Sequence, residues 1–195
     1  MGGHSLRVLI ACEFSGIVRE AFAAHGHDAW SCDLLPSEQP GQHYQRDVRE
    51  LLGKPWDLMI AFPPCTYLCN SGARWWKDRQ REQQEALAFV RLLLDAPMPR
   101  VCVENPEGRI STAIRKPDQY IHPWEYGHGE EKKTGLWLKN LPLLQPTQLM
   151  AERVQRVWRM GQTRHRSQDR SRTYPRIAAA MSQQWGALAP PPERC

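Results

Sequence analysis

The sequence predicts an α/β protein with a mostly parallel sheet covered by helices on both faces. Three observations predict it. Short apolar runs rich in β-branched residues recur along the chain, helical patterns separate them, and each run stops at a turn carrying polar residues. A strand followed by a helix must cross over the sheet before it pairs again, which favours parallel neighbours. In such sheets ligands bind in the crevice outside the carboxyl ends of the strands. Residues just after each strand are therefore the ones to inspect for chemistry.

Leu6 to Ala11 (LRVLIA) reads as the first strand, followed by the turn Glu13-Phe14-Ser15-Gly16 and a helix over Ile17 to Ala24. Ala29 to Cys32 is a short second strand ending at Asp33. Asp57 to Phe62 (DLMIAF) is a buried strand halted by Pro63-Pro64. Over Gln80 to Asp95 the residues Leu87, Val90, Leu93 and Leu94 fall at the spacing of an amphipathic helix. Arg100 to Glu104 (RVCVE) is another strand, stopped at Asn105-Pro106. Tyr120 to Tyr126 and Thr134 to Lys139 read as late strands joined by a Gly-rich, charged turn. Pro175 to Trp185 reads as the last helix, with Thr173 as its cap and Pro175 in its first turn.

A chain of 195 residues, 41% apolar, suits one domain over residues 6–186, with residues 1–5 and 187–195 expected to be flexible ends. No stretch approaches the run of about 18 apolar residues that spans a membrane, and the first residues lack a secretory pattern. A soluble cytoplasmic protein is expected. The six cysteines are too sparse for a disulfide scaffold and fit a reducing compartment. Cys65 and Cys69 form a C-x3-C pair. Gly72 stands where a third cluster-binding cysteine would be needed, and no Cys/His pair completes a zinc site, so no metal is expected. The net charge of +5 is modest, but eight arginines and a single acid, Asp169, lie between Arg153 and Arg176. Arg164, Arg166, Arg170 and Arg172 belong to this segment, which reads as phosphate-contacting or as a solvated tail.

The chemistry-bearing residues sit where the fold expects them. The turn Glu13-Phe14-Ser15-Gly16 offers backbone N–H groups and small residues to a cofactor. Asp33 ends the second strand where α/β nucleotide-binding folds hydrogen-bond a ribose, and Asp47 follows; each also reads as a simple strand end or cap. Pro63-Pro64 fixes a rigid exit that presents Cys65, a thiol, to a substrate. Glu104 ends the next strand, about 4.8 Å from its neighbour, so thiol and carboxyl can flank one planar ring. Asn70 to Arg81 interleaves Ser71, Trp75 and Trp76 with Arg74, Lys77, Arg79 and Arg81, the mix that stacks bases and contacts phosphates.

On these residues the sequence resembles the cytosine-C5 DNA methyltransferases, in particular a short, phage-type branch. Phe62-Pro63-Pro64-Cys65 is similar to that family's nucleophile motif and Val103-Glu104-Asn105-Pro106 to its Glu-Asn motif. Glu13-Phe14-Ser15-Gly16 is similar to its cofactor loop, and Asp33 and Asp47 fall at its ribose- and adenine-binding acids. Tyr126-Gly127-His128 with Lys132-Lys133-Thr134 resembles a late segment of the short branch. The resemblance implies a Rossmann-like fold, S-adenosylmethionine as cofactor, with Pro63 among its contacts, and a cytosine flipped from DNA or unpaired as substrate. It implies Cys65 as nucleophile, Glu104 as activating carboxyl, and Pro64 and Asn105 beside the base, in a bacterial or phage-infected host cell. Three departures qualify it. No Gln-x-Arg-x-Arg segment is present, so Lys132, Lys133 or a late arginine would support the base. Ile17-Val18 replaces the second glycine of the cofactor loop, and there is no room for a large target-recognition domain. Two other readings stay open: C5 modification of a free cytosine nucleotide, and a non-catalytic nucleic-acid-binding relative.

Overall fold

The protein is described from a computed structural model covering residues 4–153 and 171–189. Five strands run parallel: Arg7–Ala11 (β1), Asp28–Asp33 (β2), His43–Gln45 (β3), Leu58–Ala61 (β4) and Arg100–Pro106 (β5). Gln119–Ile121 (β6) and Thr134–Lys139 (β7) complete a seven-stranded sheet in the order β3-β2-β1-β4-β5-β7-β6. Only β7 runs against the others, pairing antiparallel with both β5 and β6. Among the described residues the α-helices are Ile17–Ala23 (α1), Gln80–Leu94 (α2), Arg109–Ala113 (α3) and Pro175–Gly186 (α4).

Alternate residues of each strand enter opposite layers of core. On one face Leu9, Met59, Val101 and Val103 pack with Leu87, Val90 and Leu93 of α2. On the other, Val8, Ile10, Ile60 and Cys102 pack with Val18 and Phe22 of α1 and with Ile177, Met181 and Trp185 of α4. Each such side chain removed from water contributes about 1.5–3 kcal/mol. Trp185 is wholly buried, and its indole N–H donates to Pro142 O at 3.0 Å, so no polar atom is stranded there. The strand order reverses at β1, with β2 on one side and β4 on the other, and this opens the crevice at the carboxyl ends.

Several elements differ from expectation. β6 stops at Ile121, because Pro123 opens a 3-10 helix, Pro123–Glu125, instead of extending the strand to Tyr126. The connection from there to β7 is too short to recross the sheet, so β7 enters antiparallel. β3 has three residues and no apolar run to announce it. The segment Asn70–Asp78 is wound into a 3-10 helix rather than an open loop. Thr173 does not cap α4: the capping position is Tyr174, which makes no side-chain cap bond, and His128 Nε2 accepts the Arg176 N–H at 3.2 Å instead. Among the described residues no helix is long and apolar enough to cross a membrane.

Candidate active site

The last backbone bond of the β4 exit is Phe62 N–H to Ala11 O at 2.9 Å. Beyond it the chain reaches Pro63, buried, and Pro64, exposed, neither of which has an N–H to return to the sheet. Asn105 fastens this stretch through the Pro63 carbonyl instead. It is 1% exposed, and its Nδ2 donates to Pro63 O at 2.8 Å. Asn105 therefore fastens the loop that holds Cys65, while its Oδ1 is buried without a hydrogen-bond partner. Cys65 O then accepts both Leu68 N–H (2.9 Å) and Cys69 N–H (3.0 Å), folding the chain into a turn.

The far end of this turn is fastened as well. Arg109 N–H donates to Leu68 O at 2.7 Å and Asn70 N–H to Glu107 O at 3.1 Å. The backbones come so close that a Cβ on Gly108 would lie 1.9 Å from Leu68 O. Both ends of the Cys65 loop are thus tied to β5 or the residues that follow it.

β4 and β5 are adjacent, with Ala61 level with Val103. Glu104 emerges on the α4 side, in a solvent-open cleft of about 370 Å³ lined also by Phe62, Lys132, Thr134, Tyr174 and Met181. Burial raises its carboxyl above the usual range, against the Lys132 ammonium and the Thr134 hydroxyl, which pull it down. Cys65 is held as a thiol by its hydrogen bond to Cys69 and by burial; the charges of Cys69 and Glu104 raise it further and Lys132 opposes them. One ammonium therefore favours ionisation of both groups. Lys133 does not share this position: its Nζ is 3.3 Å from both oxygens of Glu107 and 4.1 Å from the Tyr120 ring centroid.

At the other end of the crevice, Glu13 turns inward at 4% exposure. Its Oε1 accepts the Val18 N–H and the Ser15 hydroxyl, both at 2.9 Å, and so caps α1. Gly16, at φ 74°, leaves room for this turn: a Cβ there would lie 2.7 Å from Arg19 Nη2 and 2.8 Å from Gln39 Cβ. Glu13 Oε2 is buried without a hydrogen-bond partner, and burial raises the carboxyl. Phe14 and Ser15 are buried beside it. Asp33 Oδ1 accepts Leu35 N–H at 2.9 Å, and burial raises this carboxyl too. Asp47 caps a 3-10 helix, Val48–Leu51, through Arg49 N–H at 2.9 Å. Both acids surround Cys12, whose thiol burial and their charges hold protonated.

The aromatic and basic segment is partly self-neutralised. Arg79 pairs with Glu82 at 3.0 Å and Arg81 with Glu85 at 2.9 Å. Trp76 is half-buried with the Arg109 guanidinium 5.8 Å from its ring centroid, while Arg74 and Lys77 are exposed. Ser71 and Trp75 belong to the same 3-10 helix. Arg172 forms a two-bonded ion pair with Glu38, at 2.9 and 2.6 Å. Arg164, Arg166 and Arg170 lie outside the described residues. The sequence offered no signal for Arg19 or Glu38, and the C-x3-C spacing marked Cys69 without giving it the hydrogen bond it makes to Cys65.

No protein-family profile matches this chain, and no curated protein matches it. Among solved structures it is similar to a candidate DNA modification methyltransferase encoded within a prophage of E. coli, at 17% identity and a TM-score of 0.48. The match covers 75% of this chain and 52% of the other, so the chain spans about half the length of that protein.

Proposed function

We propose that residues 6–186 form a single-domain, Rossmann-like methyltransferase that modifies C5 of cytosine in DNA through a covalent bond between Cys65 Sγ and C6. The observation that carries this reading is the pairing of Cys65 and Glu104 on adjacent strand ends, with the thiol loop fastened to the carboxyl strand by Asn105 and Gly108.

The residues at the β1 and β2 ends fit S-adenosylmethionine. Asp33 lies where ribose hydroxyls need an acceptor, and the orphaned Glu13 Oε2 suits an ammonium. When bound, that cofactor supplies an electrophilic methyl group. Cytosine C5 is too weak a nucleophile to take it unaided. Cys65, partly exposed and held as a thiol, first loses its proton to solvent; as thiolate it adds to C6, and the displaced ring electrons make C5 an enamine carbon. Glu104, whose neutral form burial favours, donates a proton toward N3 and receives the charge that arrives there. Lys132 stands in the same cleft and favours the thiolate. After transfer, solvent takes the C5 proton, the S–C6 bond breaks with its electron pair returning to sulfur, N3 returns its proton to Glu104, and the ring regains aromaticity.

A base stacked in a duplex cannot offer C6 to a thiol, so the cytosine must be flipped out or unpaired. The test is mass spectrometry of nucleosides from DNA incubated with the protein and S-adenosylmethionine, with free cytidine monophosphate as the competing substrate. 5-Methylcytosine in DNA, lost in Cys65→Ser and retained in Cys69→Ala, is the expected result. Wild-type turnover by Cys65→Ser would remove the nucleophile, and methylation of the mononucleotide alone would remove DNA.

A further inference from the structure

Residues 171–174 line the Glu104 cleft on its outer side before the chain enters α4. Among the described residues, contacts at two points hold them. Near α4, Tyr174 packs its ring 5.0 Å from that of His128, whose Nε2 accepts the Arg176 N–H. At the other point Arg172 reaches across to the β1 and β2 ends of the crevice. Its guanidinium meets both Glu38 oxygens and lies 5.8 Å from the Phe14 ring centroid.

Glu38 is a firm anchor because its loop is held from beneath. Glu38 N–H donates to Phe14 O at 2.8 Å. Arg19, 1% exposed, donates to Ser31 Oγ (2.9 Å), Ser37 Oγ (3.0 Å), Gln39 O (3.0 Å) and Pro40 O (2.8 Å), and pairs with Glu20 at 3.0 Å. Every N–H of that guanidinium has a partner, so the buried charge is compensated and the loop bearing Glu38 is fixed.

We propose that Glu38 is a positioning residue for the base cleft: by holding Arg172 it seats the 171–174 strap, so that the cofactor-side loop and the wall around Glu104 close as one unit. This rests on the reading of that cleft as the cytosine site. Because the Phe14 loop and the strap share the Arg172–Glu38 contact, a ligand that stiffens one side tightens the other, and the effect is reciprocal.

The experiment uses the full chain with Glu38→Gln, Arg172→Gln and the reversed pair Glu38→Arg with Arg172→Glu. Hydrogen–deuterium exchange of the segment 171–177, without cofactor or DNA, reads the strap directly. Each single variant should exchange about two- to five-fold faster there, the range expected for one partly exposed ion pair, and the reversed pair should return toward the wild-type rate. The KM for DNA should rise by a similar factor in the single variants, with kcat less affected. Unchanged exchange in both single variants, or no recovery in the reversed pair, overturns the inference. A strap that loosens with no change in KM for DNA also overturns the positioning role of Glu38, whereas absence of 5-methylcytosine from DNA treated with the wild-type protein overturns the reading of the cleft as the cytosine site.

Discussion

Glu13 and Glu104 are carboxyls at the same rim of one sheet, one just after β1 and one within β5, and burial is the largest influence raising both. Their neighbours differ. Glu13 is enclosed by its own segment, with the Val18 N–H and the Ser15 hydroxyl on a single oxygen. Glu104 faces a cleft with Lys132, a cation from a distant segment, beside it. A raised carboxyl therefore does not by itself mark a reactive group. What separates the two carboxyls is that one is bonded by its own local segment and the other opens on a cleft beside a cation.

Glu104→Gln gives the sharpest contrast. If Glu104 supplies the proton to N3, turnover should fall about 10²–10⁴-fold. Stability should move the other way. A folded-state pKa raised above the ordinary 4.5 means that ionisation opposes folding. Stability is therefore lost as pH rises from about 4.5 through the folded value. The neutral Gln variant lacks this penalty, so it should be the more stable protein at pH 8, with the difference closing toward pH 4.5. Urea unfolding at both pH values checks this, and a less stable variant at pH 8 would contradict the assignment.

Asp33 tests the cofactor end. Asp33→Ala should weaken S-adenosylmethionine binding by about 10- to 100-fold, the loss of one charge-assisted hydrogen bond, while the unfolding midpoint moves little. Calorimetry showing unchanged affinity in a folded variant would reduce Asp33 to its bond with Leu35. Asn105→Ala should lower stability by about 1–3 kcal/mol, because Pro63 O loses its buried donor. Turnover should fall with it, since the Cys65 loop is released at one end; full turnover would show that the loop keeps its place without this bond. The smallest stability effect belongs to Glu13→Ala, which should lose about 1 kcal/mol as α1 loses its cap, along with cofactor affinity if Oε2 meets the cofactor's ammonium. Glu13→Gln, which keeps the acceptor, should recover most of that in thermal unfolding.

The parts of this fold that local pattern dictates were legible in the sequence. β1, β4, α2 and β7 follow from apolar runs and the prolines, glycines or charges that end them. β3 was not, because three residues without an apolar run carry no period. The antiparallel sense of β7 depends on how much chain is available to recross the sheet, a property of the whole topology. Within the site, the placement of Cys65 and Glu104 on neighbouring strands could be argued from strand order. The bond from Asn105 to Pro63 joins residues 42 apart, and that from Arg172 to Glu38 residues 134 apart, so no window along the chain contains either. The neutralisation of Arg79 and Arg81 was readable: Glu82 and Glu85 follow at helical spacing, three and four residues on.

Gly108 bears on how such a protein can change over generations or at the bench. Where two backbones touch with no space for a methyl group, the contact works as a gauge block that sets the distance between the cysteine turn and the carboxyl strand. Any other residue there would wedge the two apart and move Cys65 relative to Glu104 without altering either. The segments 62–70 and 104–109 must therefore be inherited, shuffled or grafted together. A Cys65 loop transplanted into another scaffold without its Glu107-Gly108 turn would arrive with its thiol and no means of setting its depth.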